Sequence, residues 1–207
     1  MRSAHPVRGH VLVIIAAICF GINAGMSRIP MEAGLDSGSF TALRLGGSFL
    51  LFLAIALIFD RSALIPPRGR QLLLMIALGI FGVACVQWMY NMAITRLPLG
   101  FAVLLEYLAP VYVVLWVRFV QGIPVHRRVW PGIGLAIGGL ALIGQIWGPS
   151  GDLDPLGVLF AVLAGFSFAA YFLIGENLTT HETKAQSPLH VVVWSFGFGS
   201  IAMLLIQ

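Results

Sequence analysis

The chain has 207 residues and a formal net charge of +4, with 59% hydrophobic and only 10% charged residues. A soluble domain of 22.3 kDa cannot cover its surface with so few charges. The mean hydropathy of +0.96 excludes disorder, collagen, coiled coil and a disulfide scaffold, and indicates an all-α polytopic membrane protein.

A bilayer core about 30 Å thick takes about 20 helical residues. Seven stretches meet this length, at 10–29, 37–59, 71–95, 98–119, 129–147, 156–177 and 188–207. Arg2 and Arg8 before the first would also suit a secretory signal, but the rest of the chain is itself membrane-spanning, which favours an uncleaved first span. Cys19 and Cys85 lie in apolar stretches and are expected to be small buried hydrophobes. Pro66, Pro67, Pro124 and Pro149 mark loops, whereas Pro110 lies inside the fourth span and is expected to kink it. The seventh span runs to Gln207 with no charged flank, as if cut short.

With the N-terminus inside, nine basic residues fall on the inner side: Arg2, Arg8, Arg61, Arg68, Arg70, Arg118, Arg127, Arg128 and Lys184. Only Arg28 and Arg96 fall outside, which is the positive-inside pattern. The loop at 152–154, with Asp152 and Asp154, is then outside. The pI of about 9.6 is explained by this topology and implies no nucleic-acid partner.

An offset of 148 residues lays the first span on the sixth, matching Gly9 to Gly157, Ala16 to Ala164 and Phe20 to Phe168. Five spans separate the copies, so the second copy is inverted, as in many secondary transporters. The expectation is a first five-helix repeat over 1–147 and the start of a second over 148–207. A complete second copy would end near about residue 296, giving ten helices of which seven are present.

Polar residues inside the spans carry the functional signal. Arg44 and Glu106 lie at a similar depth, roughly 10–12 Å below the outer surface at 1.5 Å per residue. Gln87 shares that depth, with Asn91 and Asn23 somewhat shallower. Thr41, Arg44 and Ser48 fall on one helical face, as do Gln87, Tyr90 and Asn91, then Cys19, Asn23 and Ser27, and Ser167 with Tyr171. A charge facing lipid costs about 3 kcal/mol or more, so Arg44 and Glu106 should face protein or water. Two readings follow: a substrate or proton site, or a buried ion pair that fixes helix register. Gln87 and Asn91 equally suit interhelical hydrogen bonding, and Trp88, Tyr107 and Trp116 suit packing. Gly21-x-x-x-Gly25 and Gly134-x-x-x-Gly138 suit close helix contact, within the chain or in a homo-oligomer.

Other motifs lack context. Gly197-x-Gly199 has no strand before it, the sequon at Asn177 falls on the inner side, and no histidine has metal-ligand spacing. With no G-x-S-x-G elbow and no aspartate deep in a span, nothing points to an enzyme, a cofactor or a metal.

The stretch from Gln87 to Pro110, with Tyr90, Ala93, Ala102, Leu105 and Pro110, resembles the third and fourth spans of EamA-type proteins of the drug/metabolite transporter superfamily. Phe20-Gly21-Ile22-Asn23 is similar to the entry of that family's first span, and the glycine-rich stretch 131–144 to its fifth. The family often carries Gly-Glu after span four, where this chain has Gly122-Ile123. The resemblance implies ten helices, no cofactor, and transport of small metabolites, often by export.

The sequence therefore favours a secondary-active permease of the inner or plasma membrane, working by alternating access with proton coupling. Its cargo would be a small polar or amphipathic metabolite such as an amino acid. The expected site is Glu106, Arg44, Gln87, Asn23, Tyr90, Asn91 and Tyr171, with Pro110 as the kink. The alternative is a non-transporting structural or interaction protein of the membrane, or an inactive transporter fragment.

Overall fold

The computed structural model describes residues 6–143, 153–181 and 187–206. These residues are almost wholly helical, and no strand occurs among them. The chain is a polytopic membrane protein. Five helical spans are long and apolar enough to cross a bilayer: Ser37–Phe59, Arg70–Ile94, Leu99–Phe119, Pro155–Thr179 and Pro188–Ile206. Further apolar helices are α1 (Pro6–Glu32) and α7 (Val129–Ile143). The stretch 144–147 of the expected fifth span, the expected repeat boundary, Asp152 and Lys184 lie outside the described residues.

The first crossing of these five is one helix, α2 (Ser37–Phe59). The next is built from α3 (Arg70–Ala77), a π-helical segment Leu78–Cys85, and α4 (Val86–Ile94). The next again is divided into α5 (Leu99–Glu106) and α6 (Ala109–Phe119). The last two are α8 (Pro155–Glu176) and α9 (Pro188–Ile206). Aspartates start two of these helices. Asp36 accepts hydrogen bonds from the N–H groups of Gly38 at 2.9 Å and Ser39 at 3.2 Å, capping α2. Asp154 accepts from Leu156 N–H at 2.9 Å and stands before Pro155, a favoured first helical residue.

Large apolar side chains face outward, reversing the soluble pattern. Ile14, Ile18, Ile22 and Ile29 of α1, Leu50 and Ile58 of α2, and Leu204 and Leu205 of α9 are all exposed on the protein surface. A bilayer covers such a belt without cost, whereas water would not. Cys19 is exposed and Cys85 half-buried, so the expectation that both are buried does not hold. In a helix, residues eight apart are rotated by about 80°, which carries Cys19 off the face that holds Ser27.

Small residues sit beside large ones such as Ile94, Leu97 and Phe101 where helices meet. Ala93, Ala102, Ala161 and Ala164 are buried at the junction of α4, α5 and α8. Glycines allow the closest approaches. A Cβ added at Gly79 would lie 2.5 Å from Ser195 O and 2.8 Å from Phe198 Cβ, and one at Gly82 would lie 3.1 Å from the Tyr171 Cα. These are contacts of the π-helical segment with α9 and α8. The glycines singled out by their spacing behave otherwise: Cβ atoms at Gly21, Gly25, Gly134 and Gly138 would meet nothing within 4 Å among the described residues. Close packing within the chain is thus set by which glycines the fold brings opposite a backbone, not by four-residue spacing.

Side-chain ties join the helices at both ends. At one, Arg96 donates to Asp154 at 2.9 Å, and this bond holds the Asp154 carboxyl below the usual carboxylate range. At the other, His190 Nδ1 and Trp194 Nε1 both donate to Ala63 O, at 2.9 and 3.2 Å. Ala63 lies in the short 3-10 helix Arg61–Leu64 that follows α2.

Gly79→Ala should lower thermal stability in detergent by about 1–3 kcal/mol, because the added methyl meets a backbone carbonyl. Gly46→Ala, which opens onto free space, should leave the melting temperature unchanged or slightly raised. Equal behaviour of the two variants in a thermal melt would show that α9 does not seat on the π-helical segment as described.

Candidate functional site

A cavity of about 140 Å³ lies among α1, α2, the π-helical segment, α4, α5, α8 and α9. That volume is close to the roughly 150 Å³ of an apolar cavity that takes benzene. Its polar groups are Asn23 from α1, Arg44 from α2, Gln87 and Tyr90 from α4, and Glu106 from α5. Tyr107, Phe168, Tyr171 and Phe196 add an aromatic wall. A larger groove of about 670 Å³ between α6 and α8 is lined by Tyr112, Trp116, Phe119, Phe166 and similar apolar residues, with Gln121 and Asn177 among them. No ionisable carboxylate or guanidinium lines it, so the smaller cavity is the better candidate.

Arg44 is anchored on one side only. Its Nη1 donates to Ser27 Oγ at 2.9 Å, and Ser27 Oγ in turn donates to Asn23 O at 2.8 Å. Ser27 is 1% exposed, so this relay runs through the dry contact of α1 with α2. Arg44 also lines the cavity. Glu106 stands on another wall and is 6% exposed. Among the described residues, no ion pair joins Arg44 to Glu106. The reading of Arg44 and Glu106 as a direct ion pair is thus not what the structure shows; the two groups line one cavity as separate side chains. Tyr90 lines the same cavity, and among the described residues its buried hydroxyl has no hydrogen-bond partner.

Six of the seven residues singled out from the sequence thus share one cavity: Asn23, Arg44, Gln87, Tyr90, Glu106 and Tyr171. Asn91 does not line it. Its Nδ2 donates to Thr41 Oγ1 at 2.8 Å, and Thr41 donates to Ser37 O at 2.6 Å, tying α4 to α2 in a fully buried contact. Asn91 Oδ1 is buried without a partner. Gln87 and Asn91 are about 40° apart around the helix, enough to send one into the cavity and the other to α2. Trp88 packs with Ala42, Leu45 and Met203, while Trp116 lines the apolar groove.

Phe168, Phe196, Gly82 and Val83 line the cavity without having been marked from sequence. Phe168 carried one available signal, since the repeat offset aligns it with Phe20. Phe196 carried none, because an apolar ring in an apolar helix does not announce its direction. Pro110 is the second residue of α6, and the helix is interrupted at Tyr107 and Leu108. The expected kink takes the form of an interruption two to three residues before the proline. Among the described residues no cluster of three or more potential metal ligands occurs.

Asn91→Ala should lower stability by about 0.6–1.7 kcal/mol, between the average and the maximum for interhelical hydrogen bonds in membranes, and leave ligand binding intact. Gln87→Ala should do the opposite. Thermal melts paired with binding assays on both variants would check this, and a binding loss confined to Asn91→Ala would reverse the assignment.

Comparison with known proteins adds an independent line. The profile of the EamA-like transporter family matches residues 7–145. The chain is 29% identical over 196 residues to an uncharacterized transporter of Archaeoglobus fulgidus, with 95% of this chain and 65% of that protein covered. It is 23% identical over 206 residues to the uncharacterized inner membrane transporter YicL of Salmonella typhimurium, again covering 95% of this chain and 65% of the relative. The chain therefore spans about two thirds, 65%, of the length of these curated relatives. No solved structure matches it.

Proposed function

The chain belongs to the EamA-like transporter family, and from this premise we propose that it forms the substrate cavity of a secondary-active transporter for a small amphipathic zwitterion such as an amino acid. One observation carries the reading. Arg44 and Glu106, both in membrane-crossing helices, face the same small cavity without pairing with each other. A guanidinium and a carboxyl group with no ion pair between them are costly to charge in a low-dielectric site, and a ligand carrying both a carboxylate and an amine would complete both. The carboxylate goes to Arg44, whose planar guanidinium suits it. The amine goes to Glu106, with Tyr90 and Gln87 supplying neutral hydrogen bonds. The apolar part of the ligand rests against Phe168, Tyr171 and Phe196.

In this reading Glu106 also takes the proton that couples transport, since arginine keeps its charge throughout. A bound amine and a bound proton compete for one carboxylate, which links substrate release to proton uptake and supports export by alternating access. The repeat over 1–147 and 148–207 supplies the geometry, because an inverted pair of bundles can rock about a midplane site. The N-terminus is inside, on the basic-residue bias, in an inner or plasma membrane. No step of this scheme makes or breaks a covalent bond in the substrate.

Scintillation-proximity binding of tritiated leucine to the purified full chain tests the site. Arg44→Ala and Glu106→Gln should each weaken binding about tenfold or more, the usual worth of a charge-assisted hydrogen bond. Wild-type binding should depend on pH, and Glu106→Gln should lose that dependence at matched folded amounts. The same pH dependence in wild type and Glu106→Gln would remove the proton role and leave Glu106 a structural group.

The orientation has its own test. In a background with Cys19 and Cys85 replaced, an impermeant maleimide added to intact cells should label a cysteine at position 35 but not one at position 68. The reverse pattern would invert the topology.

A further inference from the structure

The span Leu99–Phe119 crosses the membrane in two pieces. Pro110 has no N–H, so the helical bond that residue 110 would give to the Glu106 carbonyl cannot form. The helix stops at Glu106 and restarts at Ala109. Tyr107 N–H to Val103 O at 2.9 Å and Leu108 N–H to Leu105 O at 3.3 Å carry the chain across the gap. The Glu106 side chain hangs from the last residue before the break, so the angle of the break decides where the carboxylate stands in the cavity.

The break rests on α8. A Cβ at Gly165 would lie 2.8 Å from the Tyr112 ring, 2.9 Å from Leu105 O and 3.4 Å from Glu106 O. Gly165 is buried, and its backbone therefore lies directly against the carbonyls at the break. The next residue, Phe166, stacks on Tyr112 with ring centroids 4.2 Å apart and planes 12° from parallel. Elsewhere on α8 a Cβ at Gly157 would meet the side chains of Leu97 and Arg96 and not the break, and one at Gly175 would meet nothing within 4 Å among the described residues.

We propose that Gly165 is a positioning residue for Glu106: its missing side chain lets α8 seat against the Pro110 break and sets the direction of the carboxylate in the cavity. A methyl group at 165 must press on a backbone carbonyl, which cannot swing aside as a flexible side chain would. The break then shifts, and Glu106 shifts with it. The proposal rests on the reading of Glu106 as a ligand group, but its test observes the carboxyl group itself.

Dicyclohexylcarbodiimide modifies carboxyl groups in apolar membrane sites, and its rate at Glu106 can be followed by mass spectrometry of the full chain. Gly165→Ala should change that rate by about fivefold or more in either direction, while Gly175→Ala should leave it within about twofold. Pro110→Ala restores the N–H for the Glu106 carbonyl and should also change the rate by about fivefold or more. Tyr112→Leu added to Gly165→Ala removes the ring contact but not the carbonyl contact, so it should improve folding without restoring the rate. An unchanged rate in folded Gly165→Ala overturns the proposal. Where Gly165→Ala does not fold, an unchanged rate in Pro110→Ala overturns it. Failure of the transporter reading has a separate signature, leucine binding that is indifferent to Glu106→Gln while the labelling rate still responds to Gly165→Ala.

Discussion

A charged side chain cannot stand in hydrocarbon without a polar partner or a water-filled space, and this constraint orders the rest of the molecule. Arg44 meets it through Ser27 and the Asn23 carbonyl on one side and through the cavity on the other. Glu106 meets it through the same cavity. On α2, Arg44 turns into the cavity while Leu43, Leu50 and Leu57 of the same helix are exposed on the protein surface. The lipid-facing belt and the polar interior are therefore one arrangement seen from two sides.

The same constraint acts on the backbone. Irregular main chain at membrane depth is tolerated only where protein or a cavity shields it. Two irregular segments of the crossings line the cavity. Gly82 and Val83 belong to the π-helical segment, and Tyr107 to the break before Pro110. Each irregularity is also met by a close approach from a neighbouring helix, at Gly79 and Gly82 in one case and at Gly165 in the other. Regular helix in these places would bury its carbonyls in its own hydrogen bonds. Broken helix leaves polar backbone to be managed, and here a neighbouring helix covers it.

Two polar residues on one helix show how finely direction matters. Gln87 and Asn91 have the same chemistry and lie one turn apart. Gln87 reaches the cavity, while Asn91 is spent on Thr41 and ties α4 to α2. A hydrogen bond of this kind is worth about 0.6 kcal/mol on average in a membrane, so its role is to fix register more than to add stability. The cavity wall thus depends on a contact that takes no part in the cavity itself.

The amino-acid sequence alone determined the membrane class and the approximate ends of the spans, because bilayer thickness sets a length that apolar runs must match. It also determined which ionisable groups had to face inward, because Arg44 and Glu106 have no tolerable alternative. The break near Pro110 was legible for an equally local reason, the missing N–H. Only the tertiary structure decided that Arg44 is held by Ser27 and not by Glu106, that Asn91 turns to Thr41, and that Phe168 and Phe196 close the cavity. It alone chose which glycines matter, passing over Gly21 and Gly134 for Gly79 and Gly165. These choices depend on small rotations of helices against partners distant in the chain, and an apolar helix has too little contrast between its faces to reveal them.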